Sequence, residues 1–392
     1  MYSKNKIRLI LSFFCVAPII ILIRILSPIY RINLVEIRSD RIGHFIPDSI
    51  EYIFLGPQRR AKNIYFYSSI ICNNYWAKKV KKELFVVNSF FNVLTFWNRK
   101  FPGNSLNTYI PRNPKIGISD WYSRSETIFQ FTEVENNTGY DFLSKFGWSK
   151  GQLFICLLVR DNEYLRNMQP EINWAYHEYR NSSIENYSQA VDYITKQDIW
   201  VIRMGRIVSK PLNFHHKNFI EYAFLDERSD FLDIWLFANA NGCITTSSGP
   251  DWVSVIYEVP ILYINYLPLA HLTTRSNCIF SPKHLSWAIN GAPLTLVEIL
   301  ANNFYTASEY KERGIKITEL SPDEILLAVK EFLDLLYDSN FASQPSNLEP
   351  LIRRFFGEMA RWTGFTELPN FSTPKGRPSK TWLAGQGSNF FD

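Results

Sequence analysis

The sequence lacks the spaced motifs that mark most phosphate-, dinucleotide- and zinc-dependent enzymes. It holds no G-x-x-x-x-G-K-[ST] loop, no G-x-G-x-x-G fingerprint and no H-E-x-x-H pair. D-x-D is absent too, so the acidic dyad that commonly seats a divalent metal on a diphosphate is missing. Any phosphate must then be neutralised by arginine, backbone N–H groups and a helix end, without a metal. Cysteine is sparse: Cys15, Cys72, Cys156, Cys243 and Cys278 include no C-x-x-C pair, which reads as buried thiols rather than a zinc site or disulfide frame. Charge is modest, with 42 Lys+Arg against 37 Asp+Glu, a net of +5 and no long basic run. That balance argues against nucleic acid as a partner and leaves a small anionic ligand or a membrane surface. No internal repeat of fixed period is visible.

What is present is a globular composition, 46% apolar and 16% aromatic over 392 residues, enough for two domains with full cores. Lys4, Lys6 and Arg8 precede an apolar run from Leu9 to Ile23, followed by Arg24. As a helix this run reaches about 22 Å, short of a hydrocarbon core of about 30 Å, although flanking arginines extend it by snorkelling. With no small-x-small cleavage site after it, residues 1–30 read as an uncleaved membrane anchor or an interfacial helix. Positive charge on both flanks leaves the orientation of a spanning helix open.

From Arg31 onwards the pattern is α/β. Ile32–Arg38, Ile64–Ser68 and Leu84–Val87 read as strands, and Arg41–Phe45 as a turn before an element at Ser49–Phe54. The Pro-rich stretch from Asn98 to Gly117 reads as a loop able to cover a cleft. A boundary falls at Gly147–Gly151, because a fresh buried strand, Leu153–Val159, follows at once. Beyond it a helix near Ser183–Lys196, a strand Ile199–Met204 and a helix Pro322–Tyr337 alternate as in a parallel sheet covered on both faces. The expected domains are 31–148 and 151–338. Residues 339–392 should form a helix, Glu349–Trp362, and a loose Gly/Pro/Ser-rich tail.

The segment Ser229–Pro268 is the most informative. It reads as helix, strand, small-residue turn, helix and strand, with Ser229 or Asp230 capping the first helix. In the turn, Ser247-Ser248-Gly249-Pro250 follows a β-branched strand and opens a helix, presenting N–H groups outside the carboxyl end of the sheet. A plain turn with an N-cap fits the same residues. Arg160 directly follows six apolar residues and suits a diphosphate, the alternative being a pair with Asp161 or Glu163. Tyr164 lies just beyond it. Arg180 stands outside the next helix start, and Arg203 with Gly205 ends another strand. In the first half, Arg41-Ile-Gly43-His44 joins a glycine, which permits close backbone approach, to a titratable imidazole. The two sets of strand ends would face one another across an interdomain cleft.

Taken in order, Leu158-Val-Arg-Asp-x-x-Tyr164, Tyr179-Arg-Asn-Ser-x-Ile-x-x-Tyr187, Val201-Ile-Arg-Met-Gly205, Ser229-Asp-Phe-Leu-Asp233 and Thr246-Ser-Ser-Gly-Pro-Asp-Trp252, with Arg41-Ile-Gly-His44, resemble a family of bacterial glycosyltransferases of GT-B architecture. The likeness runs from about residue 31 to about 335. The turn region is more distantly similar to the donor-phosphate region of ADP-heptosyltransferases, and Arg160 looks like the GDP-sugar arginine of fucosyltransferases. The heptosyltransferase pattern has an Asp where this chain has Ser247, and it lacks Pro250-Asp251-Trp252.

The resemblance implies two Rossmann-like domains facing a cleft, with a nucleotide-sugar donor held by the second and a glycan or lipid-linked glycan acceptor by the first. Ser247, Ser248 and Gly249 would meet the diphosphate and Arg160 would pair with it, while Tyr164, Arg180, Arg203 and Gly205 line the donor side. His44 would be the general base, on an acceptor loop with Arg41 and Gly43. It further implies metal-independent, inverting transfer with no cofactor beyond the nucleotide-sugar, at a bacterial inner membrane with the catalytic domains in the cytoplasm. The same fold also accommodates a tethered, non-catalytic glycan-binding protein or the transfer of a non-sugar group such as pyruvyl.

Overall fold

The computed structural model describes residues 2–55, 61–87, 90–103, 129–269, 278–337, 347–362 and 376–392. The chain forms two compact units, residues 1–114 and 115–392. Most of the expected cover loop, residues 104–117, lies outside the described residues.

The first unit is built on a parallel three-stranded sheet, β1 (Arg31–Ile37), β2 (Ala61–Tyr67) and β3 (Val86–Val87), in that order. Its helices are α1 (Tyr2–Leu26), α2 (Ile42–Leu55), α3 (Asn74–Glu83) and α4 (Phe90–Asn98). Val16, Ile20 and Ile23 of α1 fall one helical turn apart and bury against Leu34, Phe66 and Leu94, which makes α1 part of this core. Among the described residues no helix is long and apolar enough to cross a membrane, so the expectation of a spanning anchor finds no support. Arg41–Phe45, expected as a turn, is instead the entry to α2, with His44 and Phe45 N–H donating to the Arg41 carbonyl at 3.0 and 2.9 Å.

The second unit carries a seven-stranded, wholly parallel sheet in the order β12-β9-β8-β7-β4-β5-β6. In chain order these are β4 (Phe154–Leu158), β5 (Trp200–Arg203), β6 (Phe219–Ile220), β7 (Gly242–Thr245), β8 (Ile261–Tyr266), β9 (Cys278–Pro282) and β12 (Arg377–Pro378). A small antiparallel pair, β10 (His284–Trp287) and β11 (Ile315–Thr318), stands apart from it. β4, β5, β7, β8 and β9 are buried along their whole length, as strands covered on both faces must be. From β4 the chain steps outward through β5 and β6, then returns to pair β7 with the other side of β4. The sheet thus reverses direction between β4 and β7, the place where an open α/β sheet leaves a crevice for a ligand.

The helices of this unit include α5 (Glu133–Ser144), α6 (Glu163–Met168), α7 (Ser188–Lys196), α8 (Asp230–Asn239) and α9 (Trp252–Ile256). Pro322–Tyr337, Glu349–Arg361 and Lys380–Ala384 form three more. Ser229 Oγ accepts from Leu232 N–H at 3.1 Å and caps α8 as expected. Gly147–Gly151 lies inside this unit as a pair of turns with both glycines at positive φ. It has the G-x-S-x-G spacing of a nucleophile elbow, but it precedes β4 rather than following a strand, and Ser149 is exposed.

The end of the chain corrects the expectation of a loose tail. β12 pairs with β9, and Trp382, Leu383, Phe390 and Phe391 are buried. Arg377 is ion-paired with buried Glu331, whose carboxylate also accepts from Ser379 Oγ at 2.8 Å and Lys380 N–H at 2.9 Å. Residues 363–375 lie outside the described residues.

Candidate functional site

Three segments converge beyond the carboxyl ends of β4 and β7. Arg160 N–H donates to Thr246 Oγ1 at 2.9 Å, Ser182 N–H to the Arg160 carbonyl at 3.0 Å, and Arg180 Nη2 to the Ser247 carbonyl at 2.7 Å. These bonds bring together Arg160, Arg180 and the Ser247–Gly249 turn, three of the features expected of a donor site. The guanidinium of Arg160 meets neither Asp161 nor Glu163. Asp161 instead accepts from Glu163 N–H, Ser209 N–H and Ser209 Oγ, which fixes the loop after β5. Nε and Nη2 of Arg160 and Nε of Arg180 are buried and find no hydrogen-bond partner among the described residues. Burial first, and the neighbouring Arg180 second, lower the Arg160 pKa to about 10, so it stays cationic at neutral pH. Beside them Tyr179 is pushed up by burial and remains a neutral phenol.

Buried guanidinium nitrogens without partners are unfavourable by themselves, since each such donor costs roughly 1–3 kcal/mol. An anion bridging them removes both the repulsion and the unmet hydrogen bonds.

The turn is stiffer than its composition suggests. Ser247 takes φ +61°, a left-handed conformation uncommon for a residue with a side chain. Asp251, buried, accepts at a single carboxylate oxygen from Thr245 Oγ1 at 3.0 Å and Ser248 N–H at 2.9 Å, while Ser247 N–H donates to Thr245 Oγ1 at 3.2 Å. Two of the N–H groups expected to greet a phosphate are therefore satisfied within the turn. The helix behind it is brief, a 3-10 turn at Gly249–Asp251 running into the five-residue α9. Cationic side chains, more than the turn's backbone, are therefore the groups here that could hold an anion.

Arg203 departs from its expected place. It is 2% exposed, and Nη1 donates to Glu221 Oε1 at 2.7 Å and to the Lys210 carbonyl at 2.8 Å, which commits it to an internal ion pair. Gly205, at φ +155°, is required for close packing: a Cβ there would lie 2.6 Å from Val208 Cγ1. Tyr164 sits half-buried in the first turn of α6.

In the first unit, Arg41, Gly43 and His44 start α2 beyond the carboxyl end of β1. Burial, then Arg38 and Arg41, depress the His44 pKa to about 4. The imidazole is thus neutral at pH 7, as a base must be, but weakly basic. Arg38 is taken by Asp48 in a two-pronged pair at 2.7 and 2.6 Å. Seven residues along α2 from His44, Glu51 is buried with Oε1 unpartnered, and burial followed by Asp48 raises its pKa to about 7.

One group escaped sequence reasoning. Lys283, 5% exposed at the end of β9, donates to the carbonyl of Asn181, the residue after Arg180, and lies 3.9 Å from Glu319. Burial lowers its pKa to about 8. Glu319 Oε2 accepts from Ser182 Oγ at 2.8 Å and Ser183 N–H at 3.0 Å, so the pair clamps the segment that delivers Arg180. A cation directly after a buried strand was the available signal, the same one that drew attention to Arg160.

Scanned against protein-family models and against curated proteins, the chain finds no match. Among solved structures it is similar to a glycosyl transferase family 9 protein from Veillonella parvula, at TM-score 0.44 and 12% identity over 78% of this chain and 97% of that one. It is also similar to E. coli ADP-heptose lps heptosyltransferase II, at TM-score 0.37 and 10% identity over 59% and 84% of the two chains. A third is TibC, an iron-containing dodecameric glycosyltransferase of enterotoxigenic E. coli, at 0.33 and 9% over 62% of each.

Proposed function

We propose that this chain is a metal-independent glycosyltransferase of GT-B type that moves a sugar from a nucleotide-sugar to a glycan or lipid-linked glycan, with inversion. The observation that carries the reading is the neighbouring, half-buried Arg160 and Arg180, with Nε and Nη2 of the first and Nε of the second buried and unpartnered among the described residues, at the point where the strand order reverses. The resemblance of the ordered motifs to those of bacterial glycosyltransferases supports it, and in a sequence without D-x-D these arginines are the groups proposed to neutralise the diphosphate.

Sugar transfer passes through an oxocarbenium-like transition state in which negative charge grows on the leaving diphosphate. Arg160 and Arg180 are the groups assigned to that charge, and a preorganised donor of this kind is worth about 3 to 4 kcal/mol of barrier. The Ser247–Gly249 turn positions the phosphates through its fixed shape. His44 is assigned as general base on the acceptor hydroxyl, a role worth on the order of 10² to 10⁴ in rate. We propose further that the protein works at the bacterial inner membrane, with its catalytic units on the cytoplasmic side.

The test is a thermal-shift panel of UDP, GDP, ADP, CMP and their sugars on the full chain, with and without EDTA. One nucleotide diphosphate should raise the melting temperature in EDTA, and Arg160→Ala should lose that shift. A flat panel on a folded sample, or binding strictly dependent on Mg²⁺ or Mn²⁺, sinks the proposal.

A further inference from the structure

From Phe13 to Leu26 helix α1 is apolar nearly all the way round, yet only one face of this part is covered. Val16, Ile20 and Ile23 are buried in the first unit, whereas Phe14 is 67% and Ile25 67% exposed, and Ile21 and Leu22 lie exposed beside them. The chain leaving the helix continues this surface with exposed Ile29 and Tyr30. A helix with no polar face is expected inside a core or in contact with lipid, not in water.

The polar groups of α1 show which way it is seated. Between residues 12 and 26 the strongly polar side chains are Ser12 and Arg24, and α4 takes both. Trp97 Nε1 donates to Ser12 Oγ at 3.0 Å, and Arg24 Nη2 donates to Asn98 Oδ1 at 2.8 Å and the Asn98 carbonyl at 3.3 Å. Arg24, which interrupts the apolar run in the sequence, is therefore turned into the protein and leaves the outer face uncharged. A helix crossing a bilayer would have to leave the unit, stripping Leu34, Phe66 and Leu94 of their cover and carrying Arg24 towards hydrocarbon. The charge flanking the helix suits an anionic surface: besides Arg24, which α4 takes, Lys4, Lys6, Arg8 and Arg31 occur before the first acidic residue, Glu36.

We propose that α1 is an in-plane membrane-binding helix. Its docked face stays on the first unit, and its outer face, continued by Ile29 and Tyr30, lies in the interface of a bilayer containing anionic lipid. This inference goes beyond the transfer chemistry and does not depend on it.

The experiment uses the full chain with vesicles of phosphatidylcholine alone or mixed with phosphatidylglycerol. Flotation should carry the protein with the mixed vesicles and several-fold less with phosphatidylcholine or in high salt. The double substitution Ile21→Asp, Ile25→Asp should abolish flotation and leave the melting temperature unchanged, since both side chains are exposed. Cys15 is exposed while the other four cysteines are buried, so an environment-sensitive maleimide reports on α1 directly and should shift to the blue on vesicles.

In a Cys15→Ser background, Asn5→Cys and Ser149→Cys should react with an impermeant maleimide from the same side of the cell membrane. Labelling from opposite sides means a spanning helix and overturns the proposal. So does absence of flotation, or a lipid-free dimer that the double substitution dissociates, which would make the face a contact between copies. Nucleotide binding, read in the same samples by thermal shift, reports separately on the transferase reading.

Discussion

Arg180 Nη2 donates to the main-chain carbonyl of Ser247 across 67 residues of sequence, at 2.7 Å. That bond joins the segment before α7 to the turn after β7, and it sets one guanidinium beside another, Arg160, whose Nε and Nη2 find no partner among the described residues. Affinity and stability are opposed at such a site, and the opposition is measurable.

Arg160→Ala should lower turnover by about 10² to 10³, the cost of removing one preorganised donor. The unliganded melting temperature should hold or rise, because the substitution deletes a desolvated cation that repels its neighbour. Comparing apo melts with single-turnover rates checks both parts. A matched fall in stability and rate would make Arg160 a structural residue.

Asp251→Ala should destabilise the second unit by about 1–3 kcal/mol for each donor it orphans, Thr245 Oγ1 and Ser248 N–H. Denaturant titration measures it. Donor KM should rise in parallel as the turn relaxes, whereas Asp251→Asn, which keeps an acceptor oxygen, should recover most of both.

His44 and Glu51 should tilt the pH–stability curve in opposite directions. His44 has a folded pKa near 4 against an ordinary 6.5, so between those values the unfolded chain binds more protons and stability falls as pH drops. Glu51 is raised from 4.5 to about 7, so stability falls as pH climbs through that window. Glu51→Gln should therefore stabilise the protein at pH 8, by up to about 3 kcal/mol, and do little at pH 4.5. If His44 is the base, the acid limb of kcat/KM lies near pH 4 and vanishes in His44→Gln.

Glu331→Ala should cost about 3–5 kcal/mol, because it leaves Arg377 charged and buried and removes the acceptor of Ser379 and Lys380. Limited proteolysis should cut selectively near residues 376–392, and Glu331→Gln should fall in between.

Much of this fold was legible because its central strands are buried on both faces and read as unbroken apolar runs. Leu153–Val159 and Ile199–Met204 needed no tertiary knowledge, and Pro322–Tyr337 was bounded by its own helical period. What stayed hidden was decided by partners far along the chain. Arg160 and Arg203 look alike, each at a strand end, but Glu221 and the Lys210 carbonyl make Arg203 internal, whereas Arg160 has no ion pair among the described residues. The turn's N–H groups looked free until Asp251 took one of them. Arg41–Phe45 read as a turn, although the helix α2 starts at Ile42 and runs through Gly43 and Pro47. The Gly, Pro and Ser of residues 363–375 masked the buried aromatic residues that follow them.

The position of β12 shapes how the second unit is assembled. The strand that closes one edge of its sheet comes from residues 377–378, more than two hundred positions after β4. As the chain emerges from the ribosome, the edge of β9 that takes β12 stays bare until residues 377–378 have been made, about a hundred positions later. Closure of that edge is a long-range, slow event. A nascent chain stalled before Arg377 would offer β9 to any other extended strand nearby, so aggregation of partial chains, rather than loss of a finished site, is the failure this topology invites.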